Sequence, residues 1–154
     1  MKNYQTDINI RQGTEADLEA IHALIVELAI FEREPNAVTN TVERMKKEGF
    51  GDEPAFGFYV AEVDGAIVGL TLFYYRYSTW KGRCLYLEDL IVTESMRGKG
   101  IGKLLFERTI QHGKDNNCAR MNWQVLDWNT DAIDFYKKYN AELDGEWING
   151  AIDL

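Results

Sequence analysis

The chain has 154 residues, 45% hydrophobic and 27% charged, enough for one domain with a buried core and unlike a disordered or fibrous chain. Seventeen basic against twenty-five acidic side chains leave a net charge of −8, which argues against nucleic acid or an anionic membrane as the main partner, since both require a basic patch. A cationic substrate is compatible with that balance.

Ile8 to Arg11 forms a short first strand. Thr14 and Asp17 then read as a capping box, with Asp in place of the more usual Glu, opening a helix on which Ile21, Leu24, Ile25 and Leu28 fall at helical spacing. A second short helix starts at Thr41 and stops at Gly49. Phe58 to Val63 and Ile67 to Tyr75 flank Asp64-Gly65, a pair suited to the positive φ angles of a type I′ turn, which predicts a hairpin. Cys84 to Val92 is a third long strand. Strict alternation in it sets Leu85, Leu87 and Asp89 on one face and Tyr86, Glu88 and Leu90 on the other, so that Asp89 faces away from Glu88. Ile101 to His112 is a helix with Ile101, Leu104, Leu105 and Arg108 along one side. Ala119 to Leu126 is a strand with Ala119, Met121, Trp123 and Val125 inward. Asn129 caps a helix through Tyr139, Asn140 ends it in a left-handed conformation, and Gly145 to Ile152 forms a last strand. The order β-α-α-β-β-β-α-β-α-β gives an α/β fold in a single domain spanning 1–154, with helices flanking a mixed, mostly antiparallel sheet.

No segment has the length of a membrane span, and MKNYQTDINIRQ lacks the apolar core of a signal peptide. Cys84 and Cys118 have no CxxC spacing and His22 and His112 no metal-like neighbours, the histidines being expected on helix surfaces. The expectation is a cytoplasmic protein with reduced thiols and no metal.

The most informative stretch is Leu85 to Leu105, LYLEDLIVTESMRGKGIGKLL. A strand runs into Arg97-Gly98-Lys99-Gly100-Ile101-Gly102 and on into an amphipathic helix. The glycines let a ligand approach the backbone, and the helix start offers unpaired N–H groups and partial positive charge to a pyrophosphate. Arg97 and Lys99 add charge-assisted contacts. Gly-Lys-[Ser/Thr] is missing, against a P-loop, and no βαβ repeat follows, against a Rossmann site.

Arg97-x-x-Gly100-x-Gly102 resembles the acetyl-CoA motif, Q/R-x-x-G-x-G/A, of the GNAT superfamily of N-acetyltransferases. IVELAIFE (Ile25 to Glu32), EGFG, YSTW (Tyr77 to Trp80), LYLEDLIV (Leu85 to Val92), VLDWN and AIDFYKKYNA (Ala132 to Ala141) are similar to the diamine N-acetyltransferases, which include spermidine/spermine and thialysine enzymes. YSTW is closer to the thialysine-type branch. The resemblance runs from Ile8 to about Trp147. It implies that acetyl-CoA is the cosubstrate, its pantetheine arm paired with the backbone of Leu90, Ile91 and Val92. Gly98, Lys99, Gly100, Ile101, Gly102 and Lys103 then hold the pyrophosphate, and Asn129 contacts the pantetheine or nucleotide side. Tyr136 matches the catalytic tyrosine. Phe31, Glu32 and Glu88, with Asn122, Trp123 and Gln124, match the lining around a small cationic amine. Members pair as homodimers, which is the expectation here. Where these relatives usually carry Gly, this chain has Asn140, and a proline common near Asp131 is absent.

These residue types suit the chemistry. An alkyl ammonium with a pKa of roughly 10.4 cannot attack a thioester until it loses a proton. Glu88 can hold the cation and take that proton, and the Tyr136 phenol can protonate the departing thiolate. Tyr77 and Trp80, placed in a loop, either line an amine tunnel or pack a partner chain. Beside a small-molecule acetyltransferase stand two alternatives, an acetyltransferase of protein lysines or N-termini and a non-catalytic CoA-binding sensor. Retention of both Glu88 and Tyr136 speaks against the sensor.

Overall fold

The computed structural model describes residues 7–154. The chain packs as two compact units, the first ending at Trp123 and the second running from Gln124 to Leu154. In the first, strands β1 (Ile8–Gln12), β2 (Gly57–Val63), β3 (Ala66–Ser78), β4 (Gly82–Val92) and β5 (Arg120–Asn122) form one sheet in that order. Its first four strands are antiparallel, and β5 joins β4 in parallel through Cys84–Arg120, Leu85–Met121 and Tyr86–Asn122. The expected mixed, mostly antiparallel α/β architecture is what folds.

Helices α1 (Leu18–Phe31) and α2 (Val42–Gly49) cover one face. There Leu18, Ile21, Leu24 and Met45 pack with Phe58, Val60, Leu70, Leu72 and Ile91, and Ile25 and Leu28 lie against them. Helix α3 (Ile101–Asp115) covers the other, where Ile101 and Leu105 meet Tyr59, Ala61, Val63, Phe73 and Leu85. The hairpin turn is as expected, with Asp64 at φ 50° and Gly65 at φ 78°. At the first corner Asp17 accepts from the Thr14 backbone N–H at 2.8 Å and pairs with Arg11 at 2.7 Å. Thr41 caps α2 by accepting from the Arg44 N–H.

Several expectations need correction. The buried side of α3 is Ile101, Leu105, Phe106, Thr109 and Gly113, while Leu104 is 40% exposed and Arg108 lies out over the Tyr59 ring. Thr109 can be buried because its hydroxyl bonds the Thr71 hydroxyl and the Leu105 carbonyl, both at 2.8 Å. Strand β5 covers only Arg120–Asn122 of the span Ala119 to Leu126, and Ala119 is exposed. His112 is no bare surface residue, since Tyr59 and Tyr75 each place a hydroxyl 2.9 Å from one of its ring nitrogens. Tyr77 belongs to β3, paired with Arg83, rather than to a loop.

The second unit contains helix α4 (Thr130–Lys137). The Asn129 side chain caps it by accepting from the Ala132 N–H at 3.2 Å, and Asn140 takes φ 55° just beyond its end. Gly145 to Ile152 is not a strand. A strand needs a hydrogen-bonding neighbour, and this unit contains none; Trp147 and Ile148 are 76% and 96% exposed.

Candidate active site

Strand β4 departs from strict alternation. Leu72 pairs with Asp89 but Phe73 with Leu87, so Glu88 is the extra residue of a bulge. The packing shows the consequence. Leu85 lies on the α3 face, yet Ile91, an even number of residues on, lies on the α1 face. Asp89 is therefore turned onto the α1 side, within electrostatic reach of both Glu88 and Glu32. The expectation that Asp89 faces away from Glu88 is overturned by that one residue.

Glu32 reaches this cluster from the end of α1, which closes in a Schellman arrangement. The Glu34 N–H donates to Ala29 O and the Arg33 N–H to Ile30 O, with Arg33 left-handed at φ 66°. That stop fixes where Glu32 leaves the helix. Like charges near one another in a half-buried place resist ionisation. Burial, then Glu88 and Glu32, push the Asp89 carboxyl up to about 7. Burial and then Glu88 also raise Glu32. Glu88 is exposed and accepts a hydrogen bond from the Tyr74 hydroxyl at 3.1 Å. Tyr74 is pushed up to about 12, first by burial and then by the Glu88 charge. No cluster of metal-ligand geometry occurs among the described residues.

Downstream, β4 keeps one backbone edge open. Its pairing with β5 ends at Tyr86, while Leu90, Ile91 and Val92 pair with Thr71, Leu70 and Gly69 on the other side. The chain then enters the glycine turn. Gly98 and Gly100 adopt φ 77° and 81°, values that side-chain-bearing residues avoid, and an added Cβ at either would meet nothing within 4 Å. Open space therefore surrounds this backbone. Gly100 precedes Ile101 at the α3 N-terminus, where no side chain caps the helix, so the first N–H groups remain available to an anion. Gly102 is half-buried, and Lys99 and Lys103 are exposed.

Arg97 is braced against its own chain. Its Nε donates to Val92 O at 2.9 Å, its guanidinium lies 5.1 Å from the Phe31 ring centroid, and Glu27 is 4.0 Å away. Glu27 also accepts from the Thr93 hydroxyl and the Glu94 N–H. It thereby fastens the turn after β4 to α1, and nothing in the local sequence pattern marks it for that role. Asn122 stands opposite Tyr86 at the end of β5, and Trp123 packs edge-on against Phe106 at 5.5 Å. In the second unit Gln124 donates to Asn149 at 2.7 Å. Tyr136 is 7% exposed and packs edge-on against Phe135 at 5.4 Å.

An open-edged strand runs through a left-handed glycine turn into a helix start, with carboxylates just upstream, an arrangement chemically suited to an anionic, extended cosubstrate beside a cation. The chain belongs to the acetyltransferase (GNAT) family, whose model matches residues 19–141. It is an enzyme of acetyl transfer to amines. It is 38% identical to thialysine N-epsilon-acetyltransferase of Bos taurus over 143 residues, 88% of this chain and 84% of that one. It is 34% identical to the human spermidine/spermine N(1)-acetyltransferase-like protein 1 over 86% of this chain and 20% of that protein. Among solved structures it is similar to a possible acetyltransferase from Clostridium difficile 630, with a TM-score of 0.79 and 25% identity over 96% of this chain and 99% of that one.

Proposed function

We propose that the chain moves an acetyl group from acetyl-CoA to the primary amine of a small diamine or of a lysine analogue such as thialysine. The observation that supports this best is the bulge in β4 that turns Asp89 to the side of Glu88, with Glu32 close enough to act on both, an acidic patch suited to an ammonium. The identity to the bovine thialysine enzyme adds weight to a lysine-like substrate.

In this reading Gly98 to Lys103 hold the pyrophosphate, and the open edge at Leu90 to Val92 pairs with the pantetheine arm. Asn129 meets the cosubstrate too. Phe31, Asn122, Trp123 and Gln124 line the amine. The ammonium gives its proton to Glu88, with Asp89 beside it. The freed nitrogen attacks the thioester carbonyl, whose developing oxyanion takes a hydrogen bond from a backbone N–H of β4. The carbon–sulfur bond then breaks, the Tyr136 phenol donates its proton to the thiolate, and the second proton lost by the acetylated nitrogen restores the phenol. The chain works as one domain over 1–154, as a cytoplasmic homodimer, without a metal, and neither nucleic acid nor a membrane is its partner. No described helix is long and apolar enough to cross a membrane.

Polyamines, thialysine and lysine incubated with acetyl-CoA test this by release of free thiol. Amine-dependent release is the expected result. Acetyl-CoA binding without release for any amine would overturn the reading in favour of a CoA-binding sensor.

A further inference from the structure

The glycine turn before α3 has little means of setting its own position. Gly98 and Gly100 are left-handed with open space around them, and glycine backbone is the freest to move. The N–H groups it offers an anion bind well only if they are held in place beforehand. What places them is the chain entering the turn, Thr93 to Arg97, with one turn of 3-10 helix over Glu94–Met96. The Thr93 side chain at the start of that helical turn makes no capping bond to it.

The cap comes from α1 instead. Glu27 accepts from the Thr93 hydroxyl at 2.9 Å and from the Glu94 N–H at 3.0 Å, partners 66 and 67 positions away. The Arg97 guanidinium lies 4.0 Å from the same carboxylate. Two further bonds, both 2.9 Å, tie the segment to the sheet, from the Thr93 N–H to Val68 O and from Arg97 Nε to Val92 O. Those bonds fasten each end to a strand. Glu27 joins the two ends to each other and to a helix.

A carboxylate in this place needs a reason, because its charge opposes that of a pyrophosphate in the turn. The Glu27 side chain is 33% exposed, so an acid without a task could turn to solvent. A part-exposed ion pair such as the one with Arg97 is worth little. Hydrogen bonds to a charged acceptor are the strong ones, so the bonds to Thr93 and Glu94 carry the effect. The end of α1, with Phe31 and Glu32, is fixed separately by the Arg33 and Glu34 N–H groups closing onto Ile30 and Ala29. The middle of the helix therefore serves the cosubstrate turn and its end the amine side.

We propose that Glu27 is a positioning residue for the cosubstrate, capping the Glu94–Met96 turn from α1 and so setting the Gly98 to Gly102 backbone before acetyl-CoA arrives. This rests on the reading of that turn as the seat of acetyl-CoA and adds a residue to it.

Calorimetric titration of acetyl-CoA into the wild type, Glu27→Ala, Glu27→Gln and Thr93→Val, with steady-state kinetics in each substrate, tests it. In Glu27→Ala the Kd and KM for acetyl-CoA should rise ~10-fold, the weight of a hydrogen bond to a charged group. The amine KM, and kcat at saturation, should hold. Glu27→Gln, whose amide oxygen can still accept from Thr93 and Glu94, should recover most of the affinity. Thr93→Val should lose part of it, and supplies the comparison if the alanine variant folds poorly. Acetyl-CoA affinity unchanged in both Glu27→Ala and Thr93→Val would overturn the proposal. Equal rises in the two KM values would overturn it too, reducing Glu27 to a general prop of α1. Tighter acetyl-CoA binding in Glu27→Ala would do the same, since repulsion of the pyrophosphate would then outweigh the hold on the turn. No acetyl-CoA binding by the wild type would instead sink the reading of the turn on which the proposal stands.

Discussion

Two aspartates show how one side chain is put to opposite uses. At the first corner of the fold Asp17 lies between Arg11, which forks across both its oxygens at 2.7 and 2.8 Å, and the Thr14 N–H. The Arg11 hydrogen bond above all holds its carboxyl down to about 2. At the β4 bulge Asp89 has burial and the charges of Glu88 and Glu32 around it and is pushed up to about 7. Asp17 is a satisfied group that ties β1 to the start of α1. Asp89 is held where ionisation is costly, the condition in which a group can exchange a proton near neutral pH. Satisfied charge marks structure here, and frustrated charge marks the site.

The sharpest break between the two regions should appear in activity. Glu88→Gln should lower kcat/KM by about 10²–10⁴-fold and Tyr136→Phe should lower kcat by a similar factor, with acetyl-CoA affinity unchanged in Tyr136→Phe. Asp17→Asn should leave both constants as they are. Steady-state kinetics at fixed pH check this, and Tyr136→Phe activity within twofold of wild type would remove the tyrosine as the acid.

Stability should separate them more modestly and with opposite sign. The folded carboxyl of Asp17 lies below its ordinary value of 3.8, so its contribution is complete above that pH and is lost as pH falls toward about 2. Asp17→Asn should cost about 2 kcal/mol at pH 7, a charge-assisted pair's worth. The folded carboxyl of Asp89 lies above 3.8, so protonation favours the fold below that value and the benefit drains away as pH rises to about 7. Asp89→Asn should therefore be more stable than the wild type at pH 8, by about 1–2 kcal/mol after allowing for solvent screening. Urea denaturation at pH 5 and pH 8 reads both signs, and an Asp89→Asn variant less stable at pH 8 would contradict the assignment.

Much of this was legible in the chain because the determinants are local. The capping pair at Thr14 and Asp17, the Asp64-Gly65 turn, the Thr41 and Asn129 caps and the left-handed Asn140 each depend on a few adjacent residues. The glycine turn before α3 is of the same kind, and Leu85 to Leu105 could be read as strand, turn and helix without its surroundings. What failed depends on partners distant in sequence. The bulge that turns Asp89 toward Glu88 is a matter of how β3 and β4 pair, and strict alternation over LYLEDLIV cannot register it. Thr109, absent from the expected stripe of α3, is buried because Thr71, far back in β3, supplies its bond. The tail has strand-like composition, but composition brings no neighbouring strand.

The central claim is that amine deprotonation at this site is governed by Glu88 and Asp89 together, and the pH dependence of kcat/KM for the wild type and Asp89→Asn tests it most directly. Because kcat/KM reports groups of the free enzyme, the wild-type acidic limb should break near pH 7, where Asp89 ionises. In Asp89→Asn that ionisation is gone, and the break near pH 7 should disappear. A wild-type limb with no break near pH 7, or a break there left in place by Asp89→Asn, would contradict the account.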